Sequence, residues 1–103
     1  VYNEHGYLID THTAVAYKLM LEHKTDRPTA VVSTASPFKF CDSVLDALGE
    51  KTDASGVELI EKLASFTGNA APAPLCGLDK RPVRFETVIE KQAMKQAVTE
   101  FLK

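Results

Sequence analysis

Apolar residues recur at helical spacing in three stretches of this chain. In a fourth they bunch without charge. Over residues 12–23, Val15, Leu19 and Met20 fall on one side of a 3.6-residue period, which predicts an amphipathic helix. Thr11 suits its cap, and His23 and Lys24 suit its negative end. Residues 58–66 place Leu59, Ile60, Leu63 and Phe66 on an inner side, with Gly68 just past the end as a stop. Residues 91–102 carry a single stripe of Met94, Ala97, Val98, Phe101 and Leu102.

The fourth stretch, Pro28-Thr29-Ala30-Val31-Val32, is uncharged and rich in β-branched residues. It predicts a buried strand over residues 29–34 that stops at small hydroxyl residues. A turn at Thr25-Asp26-Arg27-Pro28 leads into it. A second helix is expected to begin near Pro37, with Ser36 as N-cap and proline at a position where a missing N–H costs nothing. Val44, Leu45 and Leu48 give it an inner side, and Gly49 ends it. Residues 69–78, with Pro72, Pro74 and Gly77, form a loop. Residues 83–89 alternate apolar with polar and predict an edge strand or extended segment.

Helix, strand, helix is one crossover unit of an α/β sheet, so the expected class is α/β, with C-terminal helices following the unit. One or two strands make a poor sheet alone. The pattern therefore implies absent strands, supplied by the rest of a longer protein or by another copy. The opening at Val1 within structured-looking polar sequence points the same way.

Composition narrows the function classes. A length of 103 residues fits one small segment or domain with a modest core. The net charge of -2 argues against a non-specific binder of nucleic acid or acidic lipid. No uncharged run reaches membrane-spanning length, so no membrane partner is expected. Cys41 and Cys76 belong to no metal-type spacing and read as reduced thiols of a cytoplasmic protein.

Open α/β sheets place ligands beyond the carboxyl ends of their strands. Thr34 and Ser36 stand there, and a hydroxyl can bond a neutral heteroatom without bringing a charge. The plain alternative is that both only cap a helix. Asp10-Thr11-His12 precedes the first helix and either faces the same cleft or forms a capped start with a surface histidine. Lys39 reads either as an anion contact beside helix N–H groups or as a solvated residue. Phe38 and Phe40 bury their rings beside Cys41. His5 and His23 read as solvated, and the three histidines lack zinc-ligand spacing. Ser33 or Ser36 with His12 would make a hydrolase pair, but the Gly-x-Ser-x-Gly elbow is missing. The five glycines are dispersed and form no phosphate loop.

Three segments resemble the C-terminal end of the threonine synthase family. Tyr7-Leu8-Ile9-Asp10-Thr11-His12-Thr13-Ala14-Val15-Ala16 resembles the family's Asp/Glu-Pro-His-Thr/Ala-Ala-Val segment. Ser33-Thr34-Ala35-Ser36-Pro37-Phe38-Lys39-Phe40 resembles its Thr-Ala-(His/Ser)-Pro-x-Lys-Phe motif. Lys80-Arg81-Pro82-Val83-Arg84-Phe85 and the helix after it resemble the closing segment. The resemblance implies a pyridoxal-phosphate enzyme of the tryptophan-synthase-β-like fold, of which residues 1–103 form a single C-terminal α/β segment. It implies conversion of O-phosphohomoserine and water to threonine and phosphate. Thr34 matches the threonine that hydrogen-bonds the cofactor's ring nitrogen, and Asp10, Thr11, His12, Ser36 and Lys39 become candidates to line the cleft. The cofactor-holding lysine and phosphate loop are expected upstream, so the segment alone is expected to be inactive, with the remainder of the enzyme as its partner. Two departures stand out: Thr11 where the family often has proline, and Ser36 where many relatives have histidine. Two rival readings are a self-associating, non-catalytic module and another lyase of the same fold type, such as a dehydratase.

Overall fold

Two short helices hold the centre of the chain. In the computed structural model, which describes residues 1–103, α3 (Cys41–Ala47) packs on α4 (Glu58–Thr67). Leu45 and Leu63 meet there fully buried, joined by Phe38, Cys41 and Val44. Leu8, Phe40, Ile60 and Leu75 close the edges of this core. Burying one such leucine contributes about 2 kcal/mol, so the pairing rests on a handful of side chains. A Lys62–Glu50 ion pair at 2.7 Å and a hydrogen bond from the Tyr2 hydroxyl to the Thr67 carbonyl at 2.9 Å tie the periphery to α4. Tyr2 lies on α1 (Tyr2–His5), a single turn absent from the sequence-based expectations.

α2 (Thr11–Glu22) forms where the apolar period predicts it, but its N-cap is Asp10, not Thr11. Thr11 is the first helical residue. The carboxylate wins because it can accept from two backbone N–H groups at once, His12 and Thr13. The helix expected from Pro37 divides in two. Ser36 caps a tight 3₁₀ turn over Pro37–Lys39, Phe40 breaks it, and α3 starts at Cys41. Gly49 and Gly68 take positive φ (83° and 68°) beyond α3 and α4, as their places after the apolar periods foretell.

The strand expected over residues 29–34 does not form, nor does the edge-strand alternative over residues 83–89. Residues 29–34 and 83–89 contain no β-strand, and neither stretch makes a backbone–backbone hydrogen bond. A strand exists only through the N–H and C=O groups of a neighbour, and this chain offers none. Val31 is half-buried and Val32 is 76% exposed. The α/β helix–strand–helix unit is thus corrected, for this chain, to helix, connector, 3₁₀ turn and helix. The loop over residues 69–78 includes 3₁₀ turns at Ala73–Leu75 and from Leu78.

Apolar residues of α2 and the apolar stripe of α5 have little to pack on. Val15 and Leu19 of α2 are 61% and 50% exposed, and Phe101 of α5 (Met94–Phe101) is 78% exposed. Every residue from 81 to 103 is exposed except Ala93 and Ala97, which are half-buried. The radius of gyration is 18.5 Å, against about 13 Å for a compact domain of this length. The chain exposes 8622 Å², where a compact protein of its mass exposes roughly 5,700 Å².

Candidate functional site

The first turn of α2 and the segment from Ser33 to Phe40 come together around one carboxylate. Asp10 sits in extended backbone just before the helix and is fully buried. Its Oδ1 accepts the backbone N–H of His12 at 2.9 Å and of Thr13 at 3.3 Å. Its Oδ2 accepts the Thr13 hydroxyl in a short contact. The Thr13 oxygen also lies 3.0 Å from the Ser33 hydroxyl. Thr13 has one hydroxyl proton and gives it to the carboxylate, so Ser33 donates to Thr13. This relay spans twenty residues of sequence and joins the two segments.

His12 completes the arrangement. Its Nδ1 lies 3.1 Å from Asp10 Oδ1. Its ring rests against Phe40, centroids 4.8 Å apart and planes tilted by 56°. The Thr13 hydroxyl holds the Asp10 carboxyl below its ordinary 3.8, helped by the N–H groups of His12 and Thr13 and by the His12 ring, against the opposing effect of burial. A charged carboxylate only accepts, so Nδ1 carries a proton. Nε2 is then free to accept from, or donate to, a group outside the chain. The His12 side chain is 70% exposed.

Thr34 follows the tied Ser33 directly, is exposed, and has no hydrogen-bond partner for its hydroxyl within the chain. It lines none of the principal grooves. Thr11 borders a different concavity, an apolar groove of about 200 Å³ floored by Leu8, Ile9, Ala14 and Val44. Asp10 reaches its edge. Ser36 spends its oxygen on the N–H of Phe38 at 3.3 Å and borders a second groove with Tyr7, Leu8 and Asn69. Lys39 is exposed and lies beside Asp42, Leu59 and Leu75 in a third. The structure therefore gathers Asp10 and His12 near the start of the Thr34 segment and leaves Thr11, Ser36 and Lys39 bordering separate grooves.

Sequence reasoning did not single out Thr13 and weighed Ser33 only as the partner of His12 in a hydrolase pair. Thr13 follows Asp10 by three residues, the spacing of a cap that bonds the third N–H, and that pattern could have marked it. Nothing local registers Ser33 against Thr13. No group of three His, Cys, Asp or Glu side chains is placed to hold a metal. The chemistry available is proton exchange at His12 Nε2 and one neutral hydrogen bond from Thr34.

Comparison with known proteins adds sequence relationships. The family described as "Threonine synthase, C-terminal" matches residues 13–101. The chain is 36% identical over 104 residues to threonine synthase of Methylobacillus glycogenes, covering 98% of this chain and 18% of that protein. It is 39% identical over 79 residues to threonine synthase-like 1 of Mus musculus, covering 71% of this chain and 10% of that protein. The chain thus spans less than a fifth of the length of either relative. No solved structure matches.

Proposed function

This chain belongs to the threonine synthase family, and from that premise we propose that it works as the C-terminal segment of a pyridoxal-phosphate-dependent lyase. The reaction is the conversion of O-phosphohomoserine and water to threonine and phosphate. The observation that carries the reading is the Thr13–Ser33 hydrogen bond at 3.0 Å. It binds the two motif segments to each other one residue before Thr34.

Thr34 is the residue of this chain that would hold one edge of the cofactor. An exposed hydroxyl with no partner inside the chain suits a ring nitrogen, and Thr34 is such a hydroxyl. When bound, the cofactor supplies an electron sink for charge developing on the substrate's carbons. Thr34 holds the ring nitrogen through a neutral hydrogen bond. So held, the nitrogen would stay largely unprotonated, and the sink would be weaker than one paired with a carboxylate. The Asp10–Thr13–Ser33 relay fixes the backbone from which Thr34 reaches. The remaining contacts to the cofactor, including the lysine that holds it, come from elsewhere in the enzyme.

The excess surface supports a segment that packs on a larger body. The outer face of α2, the unpaired residues 29–34 and the stripe of α5 are the surfaces proposed to meet the remainder of the enzyme. Isolated, the chain has no turnover of its own and self-associates through the same faces. The protein is proposed to act in the cytoplasm.

The test uses the full-length protein that carries these residues. Supplied with pyridoxal phosphate and O-phosphohomoserine, it is expected to release phosphate and threonine in equal amounts. Cofactor binding without release of either product would overturn the reading. Ammonia released from serine or threonine in their place would identify a dehydratase.

A further inference from the structure

Resting on that reading, we propose that His12, oriented by Asp10, is the general acid that protonates the phosphate group as it leaves. A cap needs only to accept from backbone N–H groups. Asp10 does more: it also accepts from Nδ1 of His12 at 3.1 Å while fully buried. A buried carboxylate on one ring nitrogen fixes the proton there and leaves the second nitrogen as the reactive atom. Asp10 is the one charged side chain within ion-pair distance of His12. Phe40 steadies the ring, and the turn bearing His12 is bonded through Thr13 to Ser33, beside Thr34.

The chemistry requires such a donor. A phosphate monoester dianion that departs unassisted would leave as the trianion. A base elsewhere in the enzyme draws a proton from the neighbouring substrate carbon, and that electron pair forms the new carbon–carbon double bond. The carbon–oxygen bond breaks, and its pair goes to the bridging oxygen. Nε2–H delivers its proton to that oxygen, and hydrogen phosphate departs. His12 is left neutral, with its Nδ1–H still on Asp10. When water adds, its hydroxyl bonds to carbon and its proton restores Nε2–H. The proton drawn earlier returns to carbon, so the balance closes at one ester and one water consumed. His12 is the catalytic residue in this account, and Asp10 is its positioning residue.

The test compares two substrates of the full-length holoenzyme, O-phosphohomoserine and its analogue with chloride in place of phosphate. Chloride leaves without a proton. In His12→Gln, kcat on the phosphate ester is expected to fall about 100-fold or more, while the chloride analogue stays within about threefold of wild type. Asp10→Asn is expected to show the same selective pattern with a smaller loss. Turnover of the chloride analogue in the same preparation reports that the variant is folded and loaded. Equal losses on both substrates would assign His12 a structural role and overturn the proposal, as would full activity of His12→Gln on the ester. Those outcomes leave the reading of the enzyme standing. A wild-type enzyme inert toward the ester overturns both.

Discussion

Replacing Asp10 by alanine should loosen the start of α2 while sparing the α3–α4 core. The substitution removes the acceptor of two backbone N–H groups and of the Thr13 hydroxyl. Loss of a side-chain cap costs about 1 kcal/mol. Thr13 is buried, and a hydroxyl left without its acceptor there costs about 1–3 kcal/mol more. Ser33 limits that second cost, because its oxygen can turn to accept from Thr13. The sum is about 2–3 kcal/mol, and each 1.36 kcal/mol is a factor of ten, so local opening becomes about 30- to 150-fold more frequent. Amide hydrogen exchange of the 103-residue chain, read by NMR, measures this directly. His12 and Thr13 should exchange faster by that factor, whereas Leu63 in α4 should not change. Asp10→Asn keeps an acceptor oxygen for the cap and should give a smaller acceleration. Exchange at His12 and Thr13 within about threefold of wild type in Asp10→Ala would refute the assignment of Asp10 as the organising group.

Other outcomes follow from the same geometry. The Asp10 carboxyl titrates below 3.8 in the folded chain, so its contribution to α2 is complete above that value and is lost as pH falls through the folded one. Far-ultraviolet circular dichroism should show an acid loss of helix in wild type that is absent from Asp10→Asn, which has no carboxyl to titrate there. Leu63→Ala should cost about 2–5 kcal/mol and abolish the protection of α3 and α4 amides, since Leu63 is one of two fully buried leucines. Burial pushes the Cys41 thiol up, while Cys76 is exposed. Iodoacetamide near neutral pH should therefore label Cys76 first and reach Cys41 only in denaturant, as peptide mass spectrometry would show.

What the sequence made legible was local. Caps and stops at Ser36, Gly49 and Gly68 fall where side-chain chemistry and backbone conformation put them. The inner side of α4 was readable because Leu59, Ile60 and Leu63 face an element within the same chain. The stripe of α5 was equally readable as a pattern, yet little within this chain packs on it. Residues 29–34 are the sharpest case. Their composition is that of a strand, and composition cannot supply the neighbouring N–H and C=O groups that make one. At the candidate site, Asp10 and His12 could be picked out by residue type, while the Thr13–Ser33 bond is a tertiary event with no local signal. Phe38 was foreseen as buried and is, whereas Phe40 divides its ring between the core edge and His12.

The central claim is that the Thr34 hydroxyl faces the cofactor's ring nitrogen, and retention of pyridoxal phosphate by the full-length enzyme tests it most directly. Thr34→Val removes the hydroxyl at nearly constant volume, and Thr34→Ser keeps it. The account predicts that the valine variant binds the cofactor about tenfold or more weakly and releases phosphate correspondingly slowly, with serine restoring both. Equal cofactor affinity and equal rates in all three proteins would contradict it.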